Sequence, residues 1–224
     1  MQKIDLTFFR FLMLNTFKKV SLPRILQYYE MKNSNYNIEG KVLEIGSNPA
    51  SNNAFISLVK GNISKYYADK FEHNDLIFLD LEATNKINEK FSMVLAFNVL
   101  EHIFDTDNAI KEIKNILDTD GIFVGATPFL YRVHYAPEDY NRLTKQFYQK
   151  IFSKYNMQKI NIKELGFGPL CVCYSIVFDY IKYIPFLSNF VLIMSILIDK
   201  LLNKFVKTPL NQIYPLTYFF YCKK

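Results

Sequence analysis

The chain contains no tryptophan, only seven glycines and eight prolines, and three cysteines among 224 residues. So little glycine and proline excludes a fibrous or low-complexity protein. Cys171, Cys173 and Cys222 make an odd count without metal-type pairing, and they read as reduced thiols in apolar surroundings. No basic run interleaves with aromatics and no zinc-finger spacing occurs, which argues against nucleic acid as a partner. The N-terminus does not read as a signal peptide. Lys3 and Asp5 come too early, Arg10 interrupts the apolar stretch, and no small-residue cleavage site follows, so a cytoplasmic protein is expected. No uncharged stretch reaches the roughly 20 apolar residues that span a bilayer.

What the chain does have is apolar and positive. Half of its residues are hydrophobic, enough for a sizeable core in one large domain or one domain with an appendage. The net charge of +6, mostly from Lys, favours anionic partners such as a phospholipid surface or a phosphorylated substrate.

Residues 1–37 read as an N-terminal helical segment, broken at Ser21-Leu22-Pro23, where Ser21 can cap a second helix with Pro23 in its first turn. Residues 38–224 read as the main domain. From residue 41 to about 126, short β-type runs alternate with helical ones, the pattern of a parallel sheet with helices on both faces. Strands are expected at Lys41–Ile45, Lys65–Ala68, Leu76–Leu79, Ser92–Phe97 and Ile122–Ala126, with a helix at Thr106–Leu117. Asp118-Thr119-Asp120-Gly121 has turn chemistry. A helix at Lys145–Tyr155 leads to a strand near Gln158–Leu165, and the aromatic run Pro215–Cys222 is expected to pair antiparallel at the sheet edge. Between those last strands lies an apolar helical insertion, about residues 166–212. Its uncharged stretches, Leu165–Phe178 and Tyr183–Ile198, fit a buried cap, an interfacial membrane contact or an oligomer interface.

The run Lys41-Val42-Leu43-Glu44-Ile45-Gly46-Ser47-Asn48 is a strand, a tight turn and the opening of a polar stretch. Such a junction presents backbone N–H groups to a ligand, and Gly46 lets the main chain approach where a Cβ would collide. Acidic residues follow three successive strands: Glu44, Asp69 and Asp80. A carboxylate about twenty residues beyond the first turn suits a ribose diol, and Asp69 has that spacing from Gly46. His134 lies after the fifth strand on an aromatic-rich loop, where neutral imidazole can take a hydroxyl proton. Asp139 or Glu138 can orient it, and Arg142 can hold an anionic group. His102 reads as structural, and His73 has no supporting context.

These residues resemble class I S-adenosylmethionine-dependent methyltransferases. The matching segments are Val42–Ser47, Asp69, Asp80-Leu81-Glu82, Phe97-Asn98-Val99-Leu100-Glu101-His102-Ile103 and Leu117–Val124. The stretch Thr127–Thr144 is similar to enzymes of bacterial polysaccharide and lipid biosynthesis clusters. The resemblance implies a doubly wound α/β, Rossmann-like methyltransferase fold with a mainly parallel seven-stranded sheet. It implies S-adenosylmethionine as cofactor and no metal. Glu44, Gly46, Ser47 and Asn48 would hold its amino-acid end, Asp69 its ribose, Asp80 with the Leu81 backbone its adenine, and Asn98 its sulfonium. Tyr131, Asp139 and Arg142 would contact the acceptor, a small-molecule or lipid-linked saccharide hydroxyl. Asn48 and Ala50 stand where the family usually has glycine, so the pocket is expected to be weaker. A nicotinamide-dependent enzyme is disfavoured because its fingerprint wants glycines at 46, 48 and 51, and this chain has Gly46, Asn48 and Ser51. A non-catalytic, membrane-associated binding module with the same fold is the alternative.

Overall fold

The computed structural model describes residues 5–47, 54–70, 76–83, 87–135 and 138–224. It divides into two compact units. One comprises residues 31–127, 134–163 and 219–224; the other comprises residues 1–30, 128–133 and 164–218.

The first unit holds most of a seven-stranded sheet. Its strands are β1 (Gly40–Ile45), β2 (Ile63–Asp69), β3 (Ile77–Phe78), β4 (Phe91–Phe97), β5 (Leu117–Pro128), β6 (Gln158–Leu165) and β7 (Thr217–Lys223). They lie in the order β3-β2-β1-β4-β5-β7-β6. β1 pairs in parallel with both β2 and β4, and parallel pairing continues outward to β3 and β5. β4 is a nearly continuous apolar run and β1 is buried from Val42 onward, because central strands of a parallel sheet are covered on both faces.

The expectation of a mainly parallel sheet with its last strand at the edge needs correction. The sheet is mixed, and β7 lies inside it. Phe129 N–H donates to the Leu216 carbonyl and Lys224 N–H to the Gly121 carbonyl, so β7 runs antiparallel to β5. Leu216 N–H donates to the Leu165 carbonyl, which sets β6 antiparallel to β7 and makes β6 the edge. β5 also begins earlier than expected. Leu117 pairs with Phe91 and Ile122 with Met93, so residues 118–121 are accommodated as a bulge within the strand. The turn chemistry there is real: Asp120 adopts φ +66°.

Two helices of this unit have clear causes. α3 (Thr106–Ile116) starts at Asp105, whose side chain accepts the Asn108 N–H, and buries Ala109, Ile110, Ile113 and Ile116 at helical spacing. α4 (Lys145–Lys154) is capped by Thr144, which accepts the Phe147 N–H. Phe123, Tyr148, Phe152 and Phe220 form an aromatic core with centroid separations from Phe220 of 5.1–5.4 Å. Gly125 has no alternative in this packing, because a Cβ there would lie 2.3 Å from the Ala96 carbonyl oxygen.

The second unit is helical. α1 spans Leu6–Phe17 and α2 begins at Leu22, with Pro23 in its first turn as expected. α5 (Pro169–Ile181), α6 (Pro185–Leu202) and the short α7 (Leu210–Ile213) fill the insertion. Asp199 of α6 caps α5, its carboxylate accepting the N–H groups of Leu170 and Cys171 at 3.0 and 2.9 Å. The three cysteines are free thiols, with Cys171 and Cys222 buried; burial pushes both of those thiols up.

Candidate functional site

The carboxyl ends of β1 to β4 surround a cavity of about 190 Å³. Gly46, Asp69, Asp80, Leu81, Asn98 and His102 line it, with Ile45, Lys70, Leu79, Val99 and Ile103 completing the walls. Gly46 adopts φ +74°, and a Cβ there would lie 2.9 Å from the Val99 side chain. Its N–H donates to the Ala68 carbonyl, which joins the first turn to β2. Asn98 adopts φ +56° just beyond β4, a conformation that Asn tolerates better than most residues, and its N–H donates to the Ala126 carbonyl. The Asp80 carboxylate accepts the Glu82 N–H and tightens the turn after β3. Glu82 in turn accepts from the N–H groups of Phe104 and Asp105, and the Asn108 side chain donates to the Leu81 carbonyl. These bonds tie the loop carrying Asp80 and Leu81 to the start of α3.

Five of the expected cofactor residues therefore meet in one place: Gly46, Asp69, Asp80, Leu81 and Asn98. Ser47 is half-buried and is not part of the lining. Asn48 lies outside the described residues, as do Ala50 and His73. Glu44 is placed differently from its expected role. It is buried, it does not line the cavity, and its two carboxylate oxygens accept the N–H groups of Phe55 and Ile56 at 3.0 and 2.8 Å. Its carboxylate holds the single 3-10 turn at Phe55–Leu58 against the end of β1.

Beside the cavity lies a cluster of ionisable side chains from two loops. His102 sits in the 3-10 turn after β4, and its Nδ1 meets the Glu138 carbonyl oxygen. Its ring lies edge-on to that of His134, centroids 5.0 Å apart. The His134 Nδ1 is 3.2 Å from an Asp139 oxygen, and the same oxygen accepts the His134 backbone N–H at 2.9 Å. Of the two candidate carboxylates Asp139 is the one beside His134, while Glu138 contacts His102 through its backbone. Arg142 grips Asp139 with both terminal nitrogens, so its guanidinium is committed to a carboxylate within the chain rather than open to an anionic substrate group. Burial alone would raise the Asp139 carboxyl, but Arg142, the His134 N–H and the His134 ring hold it at about 2.

Glu101 is the residue whose importance the sequence hid. Its side chain is 0% exposed, and no other described residue hydrogen-bonds to either carboxylate oxygen. One of those oxygens lies 3.8 Å from His102 Nε2 and 4.0 Å from His134 Nε2. Burial pushes this carboxyl up to about 8, against the pull of its own backbone N–H and of the Arg142 charge, so it stays protonated near neutrality. The His102 Nδ1 meets the Glu138 carbonyl and the His134 Nδ1 lies beside Asp139, while both Nε2 atoms lie on the side of Glu101. Three basic atoms pointed at one another need a proton or a cation between them. Glu101, His102 and His134 each offer a ligand atom, all within 4.8 Å of one another, so a metal ion has a geometric place there; a proton on Glu101 meets the same need. Tyr131 belongs to the other compact unit, where its ring lies 5.7 Å from the Arg132 guanidinium.

Residues 43–125 match the protein family described as "Methyltransferase domain". The fold is shared with solved methyltransferases at low identity. One is phosphoethanolamine N-methyltransferase 2 of Haemonchus contortus, in complex with phosphomonomethylethanolamine and S-adenosylhomocysteine (TM-score 0.55, 14% identity, 88% of this chain and 52% of that one). A second comes from the complex of the Haloferax volcanii Trm112 methyltransferase activator with the methyltransferase (TM-score 0.55, 14% identity, 99% of both chains). A third is an S-adenosylmethionine-dependent methyltransferase from Archaeoglobus fulgidus (TM-score 0.53, 11% identity, 90% of this chain and 94% of that one). The chain spans about half the length of the Haemonchus protein. No curated protein sequence matches it. Residues 43–125 thus match a methyltransferase domain, and the chain shares the fold of solved methyltransferases.

Proposed function

We propose that the protein transfers a methyl group from S-adenosylmethionine to a hydroxyl of a small acceptor, a sugar or lipid-linked saccharide. The observation that carries this reading is the convergence of Gly46, Asp69, Asp80 and Asn98 on one cavity, whose lining residue His102 lies edge-on to the His134 ring. The cavity suits the donor's chemistry: two carboxylates for a diol and an exocyclic amine, apolar side chains for a flat base, and a glycine where the main chain must approach closely. S-Adenosylmethionine supplies an activated methyl on a sulfonium that departs as a neutral thioether. The protein's task is then alignment and proton removal. His134 takes the hydroxyl proton as the new O–C bond forms, and the ionised Asp139 carboxylate beside its ring stabilises the imidazolium that results. The saccharide class rests on the resemblance of Thr127–Thr144 to polysaccharide-cluster enzymes. The cytoplasm is the compartment this reading expects.

Titration calorimetry with S-adenosylmethionine and S-adenosylhomocysteine, followed by labelled methyl transfer to candidate saccharides, tests this assignment. His134→Ala is expected to keep cofactor affinity and lose at least a hundredfold in turnover, the usual span of one general base. Undiminished turnover would remove His134 from the reaction. A folded protein that binds neither compound would instead be a non-catalytic module.

A further inference from the structure

Helix α6 is inverted with respect to water. A helix of a soluble protein turns its apolar stripe inward and its polar residues outward. In α6 the buried residues include Ser188, Asn189, Ser195 and Asp199, whereas Phe186, Phe190, Leu197 and Leu201 are exposed. Two of these polar residues have tasks inside. Asp199 caps α5, and Ser188 shares a hydrogen bond with Tyr174. The outward strip continues through Tyr180 at the end of α5 (84% exposed) and Phe205 just past α6 (80%), with Phe186 at 82%. Scattered exposed apolar residues need no explanation, but a continuous aromatic strip on one face of a hairpin does.

Charge indicates what covers that strip. The sequence of this unit holds ten Lys and Arg against five Asp and Glu, so it carries nearly all of the chain's net +6. Lys204 and Lys207 follow α6 and are exposed. At the opposite end, Lys19 lies 4.7 Å and Lys182 5.5 Å from the centre of the Tyr183 ring, beside the Phe17–Phe186 pair. Aromatic rings with basic side chains at both ends of an apolar strip match the layering of a bilayer interface. A second copy of the chain would bring two basic surfaces together; an anionic lipid surface would neutralise one. By length and composition α6 is able to cross a bilayer, but its polar buried face commits it to packing within its own unit.

We propose that the α5–α6 hairpin docks on an anionic phospholipid membrane, with its outward strip in the upper acyl region and its lysines at the headgroups. The protein would then work at the inner face of the membrane, where a lipid-linked acceptor is presented. This goes beyond the methyl-transfer reading and stands or falls separately from it, because cofactor binding is measured on the free protein.

The absence of tryptophan provides the test. Phe190→Trp gives a single-tryptophan protein whose emission should shift to shorter wavelength with phosphatidylcholine–phosphatidylglycerol vesicles, and much less with phosphatidylcholine alone. In flotation, the unaltered protein should rise with the anionic vesicles. The triple variant Phe186→Ser, Phe190→Ser and Phe205→Ser, with an unchanged circular dichroism spectrum, should lose at least tenfold in bound fraction. Lys200→Gln, Lys204→Gln and Lys207→Gln together should remove the preference for anionic lipid. A folded protein that floats with neither vesicle overturns the proposal. So does a dimeric Phe190→Trp variant whose emission is already short-wavelength and indifferent to vesicles, which would assign the strip to a second copy.

Discussion

Two carboxylates with opposite environments define the chemistry at the scale of single residues. Asp139 is held ionised by Arg142, and Glu101 is held neutral by its burial. The folded chain therefore keeps a Glu101 proton that the unfolded chain releases above its ordinary value of 4.5. The stability this adds is complete below that value and is lost as the pH rises through about 8. Glu101→Gln should flatten the decline, and the variant should be the more stable of the two at alkaline pH by roughly 1.4 kcal/mol per pH unit recovered. Denaturant titrations at about pH 5 and about pH 8 read this directly. Asp69→Ala should weaken S-adenosylhomocysteine at least tenfold in calorimetry, the loss of one charge-assisted contact; unchanged affinity would assign the ribose elsewhere. Asp69 and Asp80 were legible from spacing because a strand end in a parallel sheet is a place of known use. Glu101 was not, since a carboxylate within Val99-Leu100-Glu101-His102-Ile103 looks like any loop acid until burial removes its water. Glu44 read as a ligand for the same reason: nothing in the sequence tells that a segment eleven residues later returns to occupy its oxygens.

Among the secondary-structure elements, the sequence spoke clearly where periodicity is local. α3, with its Asp105 cap and its stripe of Ile and Ala, matches the expected bounds to within one residue. β1, β2 and β4 do so to within two. The place of β7 was not legible, because an aromatic β-run suits an interior slot as well as an edge and the choice depends on β6, some fifty residues earlier. The insertion illustrates a different limit. Its apolar content was evident, but the inward turn of Ser188, Asn189 and Asp199 depends on packing against α5. Asp199→Ala should cost about 1–3 kcal/mol, because two N–H groups at the start of α5 lose their acceptor. Asp199→Asn, which keeps one acceptor oxygen, should cost less in the same thermal melts. Equal losses would show that the carboxylate is not the cap.

For the molecule as a whole, ligand and stability are linked. S-Adenosylhomocysteine at a hundred times its dissociation constant should add about 2.7 kcal/mol. For a chain of 224 residues that is a rise of about 5–10 °C in melting temperature. Differential scanning fluorimetry against adenosine as control checks it, and no rise at saturation would separate the cavity from the cofactor.

The slot taken by β7 also has a kinetic side. β5 and β6 are successive strands that never pair, and the strand between them arrives only after the whole helical insertion. Until it does, two unpaired borders face an open gap, each able to recruit a stray strand from another molecule. Refolding yield should therefore fall steeply with protein concentration, and a synthetic peptide of residues 217–223, supplied early, should compete for the vacancy.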